Sequence, residues 1–247
     1  MAHLFTSQCE EAARKIAAAD IFLLSVGAGF SADSGLPVYD DIANIPAYKS
    51  MGVRYSDLCQ RNLKNQNPDL FYGFWGTCFN DYRSSIPHEG YNIIKQWKTR
   101  FFAPVQQDTT SFASEFACEF NQRWNSYVNR TGYDESLKDP NVGPFFIYTS
   151  NVDNHSCVAG FNAMELYEIH GSIELWQCAN ECVKIQRSTS ATERRKLLWK
   201  APKDFRFSVD EQMRVVDEKA DCGDHWDQHP KCKFCGGLAR PNILMFM

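Results

Sequence analysis

No apolar run in this sequence approaches the length of a membrane span. The N-terminal stretch MAHLFTSQCEEAARKIAAAD also carries charge where a signal peptide would need an apolar core. Both absences lead us to expect a protein of the cytosol or nucleus. An excess of basic charge is missing too: 26 Lys and Arg stand against 30 Asp and Glu, a formal net charge of −4. That balance points away from nucleic acid or an anionic membrane as the main partner. The one short basic run, Arg194, Arg195 and Lys196, reads as a solvated helix face. Internal repeats and low-complexity tracts are absent.

What is present is ordinary for a globular chain: 247 residues, 44% hydrophobic and 23% charged, enough for one large domain or a domain with a sizeable insertion. Cysteine is plentiful at ten. Cys9, Cys59, Cys78, Cys118 and Cys157 are scattered singly, whereas Cys178, Cys182, Cys222, Cys232 and Cys235 cluster late. Close cysteine pairs without a secretory signal read first as metal ligands.

Along the chain, Ser7 and Glu10 fit a capping box ahead of the helix-forming EEAARKIAAA, with Asp20 ending the helix. IFLLSV (21–26) and FFIYTSN (145–151) read as buried strands of a parallel sheet, and MELYEIHG (164–171) as a short third strand. Residues 41–130 are helical in pattern and rich in aromatics, whose expected role is packing between helices. RPNILMFM (240–247) closes the chain as a further apolar strand.

Gly27-Ala28-Gly29, then Ser31, Ser34 and Gly35, follow the first strand. Glycines let backbone approach an anion closely, and a following helix N-terminus favours a pyrophosphate. By itself this is also the composition of a tight turn, and position 32 lacks the glycine of the common dinucleotide fingerprint.

Three further motifs change the weight of that loop. GAGFSADSGLPVY (27–39) resembles the NAD-binding loop of sirtuins. Thr149-Ser150-Asn151-Val152-Asp153 resembles the family's Thr-Gln-Asn-Ile-Asp, with Ala159-Gly160 at the family's distance. Glu168-Ile169-His170-Gly171-Ser172 is similar to the motif around its catalytic histidine, and Arg240-Pro241-Asn242 to its strand after the zinc module. The resemblance implies an α/β fold: a Rossmann-like parallel sheet (1–40, 140–175, 238–247), a helical part (41–139) and a small zinc-binding module (176–237). It implies an NAD-dependent protein-lysine deacylase that transfers the acyl group to ADP-ribose and releases nicotinamide. His170 and Asn151 would be catalytic. Gly27, Ala28, Gly29, Ser31, Ser34, Gly35, Pro37, Tyr39, Ser150, Asn151, Asp153 and His170 would bind NAD. An acyl-lysine protein or peptide would be the partner.

The residue chemistry suits those roles. Imidazole titrates near neutrality, so His170 suits proton abstraction from a ribose hydroxyl; a satisfied core histidine is the bland alternative. Asn151 and Asp153 leave a strand into a polar turn, able to fix an amide and a ribose or to cap a helix. Cys178, Cys182, Cys232 and Cys235 form two close pairs suited to a tetrahedral structural zinc, with Cys222, His225 or His229 near enough to replace a ligand.

Three departures from the sirtuin pattern stand out. Asp40 ends the loop where the family has arginine, which replaces attraction for phosphate by repulsion. Ser150 takes the place of a longer glutamine. The sequence stops in the strand after the zinc module, so the expectation is a C-terminally truncated sirtuin domain, as a fragment or a curtailed form. Two other readings stay open: an ADP-ribosyltransferase or NAD hydrolase using the same pocket, and a zinc-stabilised interaction module without catalysis.

Overall fold

The structure, a computed structural model, describes residues 2–38, 41–103, 143–180, 197–216 and 225–246. Contacts divide the chain into two compact units.

The first unit comprises 1–26, 89–149 and 156–167. Helix α1 runs from Ala2 to Ala17 and strand β1 from Phe22 to Val26. Strand β2 (Phe145–Thr149) pairs in parallel with β1, with Phe22 opposite Phe145 and Val26 opposite Thr149. Strand β3 (Leu166–Glu168) completes the order β1-β2-β3. One face of this sheet is covered: Phe22 stacks on Phe102 and contacts Trp97 and Phe145. The buried Glu165 pairs with Lys98 of helix α7 (Glu89–Phe101) and accepts a hydrogen bond from Gly143 N–H at 3.2 Å.

Three sequence expectations change here. Helix α1 begins at Ala2, so Ser7 lies inside it and caps nothing; it ends at Ala17, before Asp20. Strand β1 is not buried on both faces: Leu23 is 61% exposed, and the adjoining Tyr148 and Tyr167 are exposed as well. The apolar run answers to a sheet with one covered face, which an alternating burial pattern identifies and composition does not. The expected strand over 164–171 is broken. Asn162 caps a 3₁₀ turn over Ala163–Glu165, and Gly171 takes φ +87 where the chain turns into the next strand.

The second unit comprises 27–88, 150–155 and 168–247. Short helices α2 (Ala28–Ala32), α3 (Pro46–Met51), α4 (Tyr55–Leu58) and α5 (Leu63–Gln66) lead into the long α6 (Pro68–Ser84). Asn67 caps α6 by accepting from Leu70 N–H, and Pro68 sits at its first position, where no N–H is needed. Strand β4 (Gly171–Cys178) lies between β5 (Trp199–Lys200) and β6 (Ala239–Ile243), antiparallel to both. The expected closing strand therefore stops at Ile243, and Leu244 beyond it is 71% exposed.

Aromatics fill this unit's core, as the sequence suggests: Tyr48, Phe71, Tyr72, Phe74, Trp75 and Phe79 pack with Trp176, Phe205 and Phe207. A bidentate pair fastens the periphery. Arg83 donates to both Glu174 carboxylate oxygens at 2.7 Å and to the Pro202 and Lys203 carbonyls at 2.8 and 3.0 Å.

Candidate functional site

Gly27 follows β1 directly and stands at the start of α2 in an extended conformation. A Cβ there would lie 3.1 Å from Ser150 Oγ, so glycine permits the loop to approach the segment that follows β2. Gly35 adopts φ +81 and reverses the chain after α2, a conformation that favours glycine. Gly29 has open space about its Cα.

Segment 150–155 brings the polar side chains to this loop. Asn151 Nδ2 donates to the Gly27 carbonyl at 2.9 Å and to Ser31 Oγ at 2.8 Å. The Ser31 hydroxyl in turn donates to the Asp153 carboxylate, whose other oxygen accepts His155 N–H at 2.9 Å. Ser31 and Asp153 are both buried. Ser31, distant in sequence, thus joins Asn151 and Asp153 in one hydrogen-bonded chain in a setting where each bond counts for more than in water.

His170 stands before the turn at Gly171. Its Nδ1 is 3.1 Å from the Ser150 carbonyl. A carbonyl only accepts, so this contact selects the tautomer protonated on Nδ1 and leaves the lone pair on Nε2. Two residues earlier, burial and then the Asp153 charge raise the Glu168 carboxyl to about 7.

Ser31, Asn151, Asp153 and His170 line one cavity of about 630 Å³. Ala28, Ser31, Pro37, Ser150, Asn151, Asp153 and His170 give it a polar side. The rest of its lining is largely apolar: Leu36, Ile42, Phe74, Trp75, Ile243 and Met245, with Tyr55, Tyr82, Cys59 and Cys78 among them. Burial pushes the Cys59 thiol up to about 11 and the Cys78 thiol higher still, so this lining is uncharged at neutral pH. The sequence favours packing over binding for the aromatics of 41–130. Phe74 and Trp75 pack and also face the cavity, a double role that helical periodicity does not signal.

Of the expected NAD contacts, Ala28, Ser31, Pro37, Ser150, Asn151, Asp153 and His170 lie on the cavity. Gly27, Gly29, Ser34 and Gly35 are not among the residues lining it: the Gly27 carbonyl accepts from Asn151 Nδ2 at 2.9 Å, and Ser34 Oγ accepts from His88 N–H at 3.0 Å. Tyr39 and Asp40 lie outside the described residues.

A second cluster gathers late cysteines. The sulfurs of Cys178, Cys232 and Cys235 lie within 4.8 Å of one another, with Cys178 Sγ 3.7 Å from Cys235 Sγ. Cys178 ends β4, and the turn before Leu238 presents the other two. Phe234 N–H points at Cys232 Sγ at 3.5 Å, the kind of amide–sulfur bond that steadies a thiolate. Three converging soft donors fit a thiophilic ion such as zinc. Cys182 and Cys222 lie outside the described residues. His229 is engaged elsewhere, with Nε2 2.7 Å from Asp69 Oδ1, and His225 does not join the cluster.

The fold compares with solved structures at low identity. It is similar to a Sir2 homologue solved as an NAD complex: 16% identity over 96% of this chain and 61% of that one, TM-score 0.50. Similar too are a Sir2 homologue mutant–ADP-ribose complex (16%, 96% and 63%, TM-score 0.49) and a structure addressing sirtuin substrate affinity (16%, 96% and 65%, TM-score 0.49). The chain spans less than two thirds of the length of each. No curated protein matches the sequence significantly. The class defined by sheet and connections is Rossmann-like α/β. Residues 135–247, a little under half of the chain, match the Sir2 family.

Proposed function

We propose that the chain carries the active-site part of an NAD-dependent protein-lysine deacylase. The observation that carries this reading is the chain of hydrogen bonds Asn151–Ser31–Asp153 facing the same cavity as His170. It gathers, from three separate segments, the residue types that hold and deprotonate a ribose.

In this reading Gly27, Ala28, Gly29, Ser31, Ser34, Gly35, Pro37 and Tyr39 cradle the dinucleotide, and Ser150, Asn151 and Asp153 orient its nicotinamide end. Bound NAD+ supplies an electrophilic ribose carbon that accepts the acyl oxygen as nicotinamide leaves. His170 takes a ribose hydroxyl proton on Nε2 while its Nδ1–H stays bonded to the Ser150 carbonyl. The uncharged aromatic wall keeps water from competing with the acyl-lysine, and holding both reactants in line supplies much of the rate. Cys178, Cys182, Cys232 and Cys235 hold a structural zinc away from the chemistry, with the parallel-sheet, helical and zinc-binding parts divided as the sequence suggests.

The test is nicotinamide release from NAD+ with and without an acetylated peptide. Release that requires peptide and disappears in His170→Ala supports the reading. Equal release without peptide overturns it in favour of NAD hydrolysis or ADP-ribosyl transfer. No release at all, from protein that binds NAD+ measurably, leaves a binding module.

A further inference from the structure

Helix α2 and the turn after it make contacts on two faces. Ala28 and Ser31, three positions apart, line the cavity, and Ser31 carries the bonds to Asn151 and Asp153. Phe30 and Ser34, four positions apart, are not in that lining and meet His88 instead. His88 stands in the short link after α6, where Ser85 is extended and Pro87 stiffens the chain. Its imidazole meets the Phe30 ring edge to face, with centroids 4.6 Å apart and planes at 71°. Its backbone N–H donates to Ser34 Oγ at 3.0 Å. One residue thus grips both ends of the segment 30–34, on a face that the cavity does not use.

The grip matters because glycine brackets this segment. Gly29 is exposed with open space about its Cα, and Gly35 has φ +81. Glycine backbone loses more freedom on ordering than any other. A loop that holds its binding shape only part of the time binds more weakly in proportion. We infer that His88 is a positioning residue for the NAD-binding loop. Its ring, seated on Phe30, and its N–H, on Ser34, hold α2 so that Ala28 and Ser31 face the cofactor. The inference rests on the proposed NAD reading of that loop. It gives the link after α6 a task that the motifs of the loop itself do not signal. His88 does not line the cavity and touches no cofactor.

The experiment measures NAD+ binding to the full chain by titration calorimetry, beside thermal melts without NAD+. His88→Ala keeps the backbone bond to Ser34 and removes the ring. It is expected to weaken NAD+ binding about three- to tenfold, the scale of one aromatic pair. His88→Phe, which restores a ring edge, is expected to bind as wild type does. In a Phe30→Ala background His88→Ala is expected to change nothing further, because the ring has lost its seat. A role in stability alone would lower the melting temperature of His88→Ala and leave the affinity of the folded protein unchanged, and that result overturns the inference. An equal loss in His88→Ala and His88→Phe overturns it too, as does a further loss in the Phe30→Ala background. Should His88→Ala fail to fold, His88→Asn is read by the same constant with the same outcomes. Wild type that binds no NAD+ overturns the NAD reading of the loop and this inference with it. Wild type and His88→Ala that bind NAD+ equally well overturn this inference alone.

Discussion

At the residue scale, Asn151 works through both amide hydrogens, to Gly27 O and Ser31 Oγ. Asn151→Ala leaves the buried Ser31–Asp153 pair without its third member. We expect peptide-dependent nicotinamide release to fall by at least about a hundredfold, since a directed hydrogen bond made at the reacting centre is worth roughly 2.7–4 kcal/mol. Steady-state assay with matched melting curves checks that the loss is not unfolding. Glu168 gives a pH prediction. Its folded pKa of about 7 lies above the ordinary 4.5, so the folded state holds a proton that the unfolded state has lost. Its contribution is complete below pH 4.5 and fades as pH rises through 7. Glu168→Gln should therefore flatten the fall in stability across that window, by up to about 3 kcal/mol, in denaturant titrations at several pH values. The residues of this site were legible because short motifs name side chains directly. Glu168 was quoted only as part of the histidine motif, since its shift comes from burial and from Asp153, fifteen positions away and brought near by the fold.

At the element scale, the close approach of 205–215 to α6 depends on Gly73. A Cβ there would stand 2.0 Å from the Met213 carbonyl oxygen, against backbone that cannot step aside. Gly73→Ala should cost at least about 1–3 kcal/mol despite its better helix propensity, an opposite sign to a free helix position, and a thermal melt decides. Strand β2 was readable from its apolar run, and α6 only as part of a helical stretch over 41–130. Elements set by long-range pairing were not readable. Strand β4 was invisible as a separate element because Gly171 breaks the run that begins at Leu166, and its partner β6 lies more than sixty positions later. Likewise Leu23 looks like core by composition, and only the uncovered sheet face explains its exposure.

At the scale of the whole molecule, the second unit holds the cavity, the aromatic core and the cysteine cluster together. Cys178 is joined to that core through β4, where Trp176 is fully buried two residues earlier. Chelation of zinc-loaded protein should therefore lower the melting temperature of the second unit and, on the proposed function, slow nicotinamide release. Calorimetry before and after chelation, with zinc restored, reads this. Unchanged melting would separate the cluster from the stability of the site. The division into two units was not legible in the sequence, because each unit is assembled from three separated segments.

The 3.1 Å approach between position 27 and Ser150 Oγ has a consequence for variation along a lineage. The two positions form an epistatic pair. A methyl at 27 needs the Ser150 hydroxyl to give way slightly, and it fits more easily once 150 has shortened. A Gly27→Ala, Ser150→Gly double change should be milder than Gly27→Ala alone, so the order of substitution, and not only the residues reached, decides which relatives of this loop can exist.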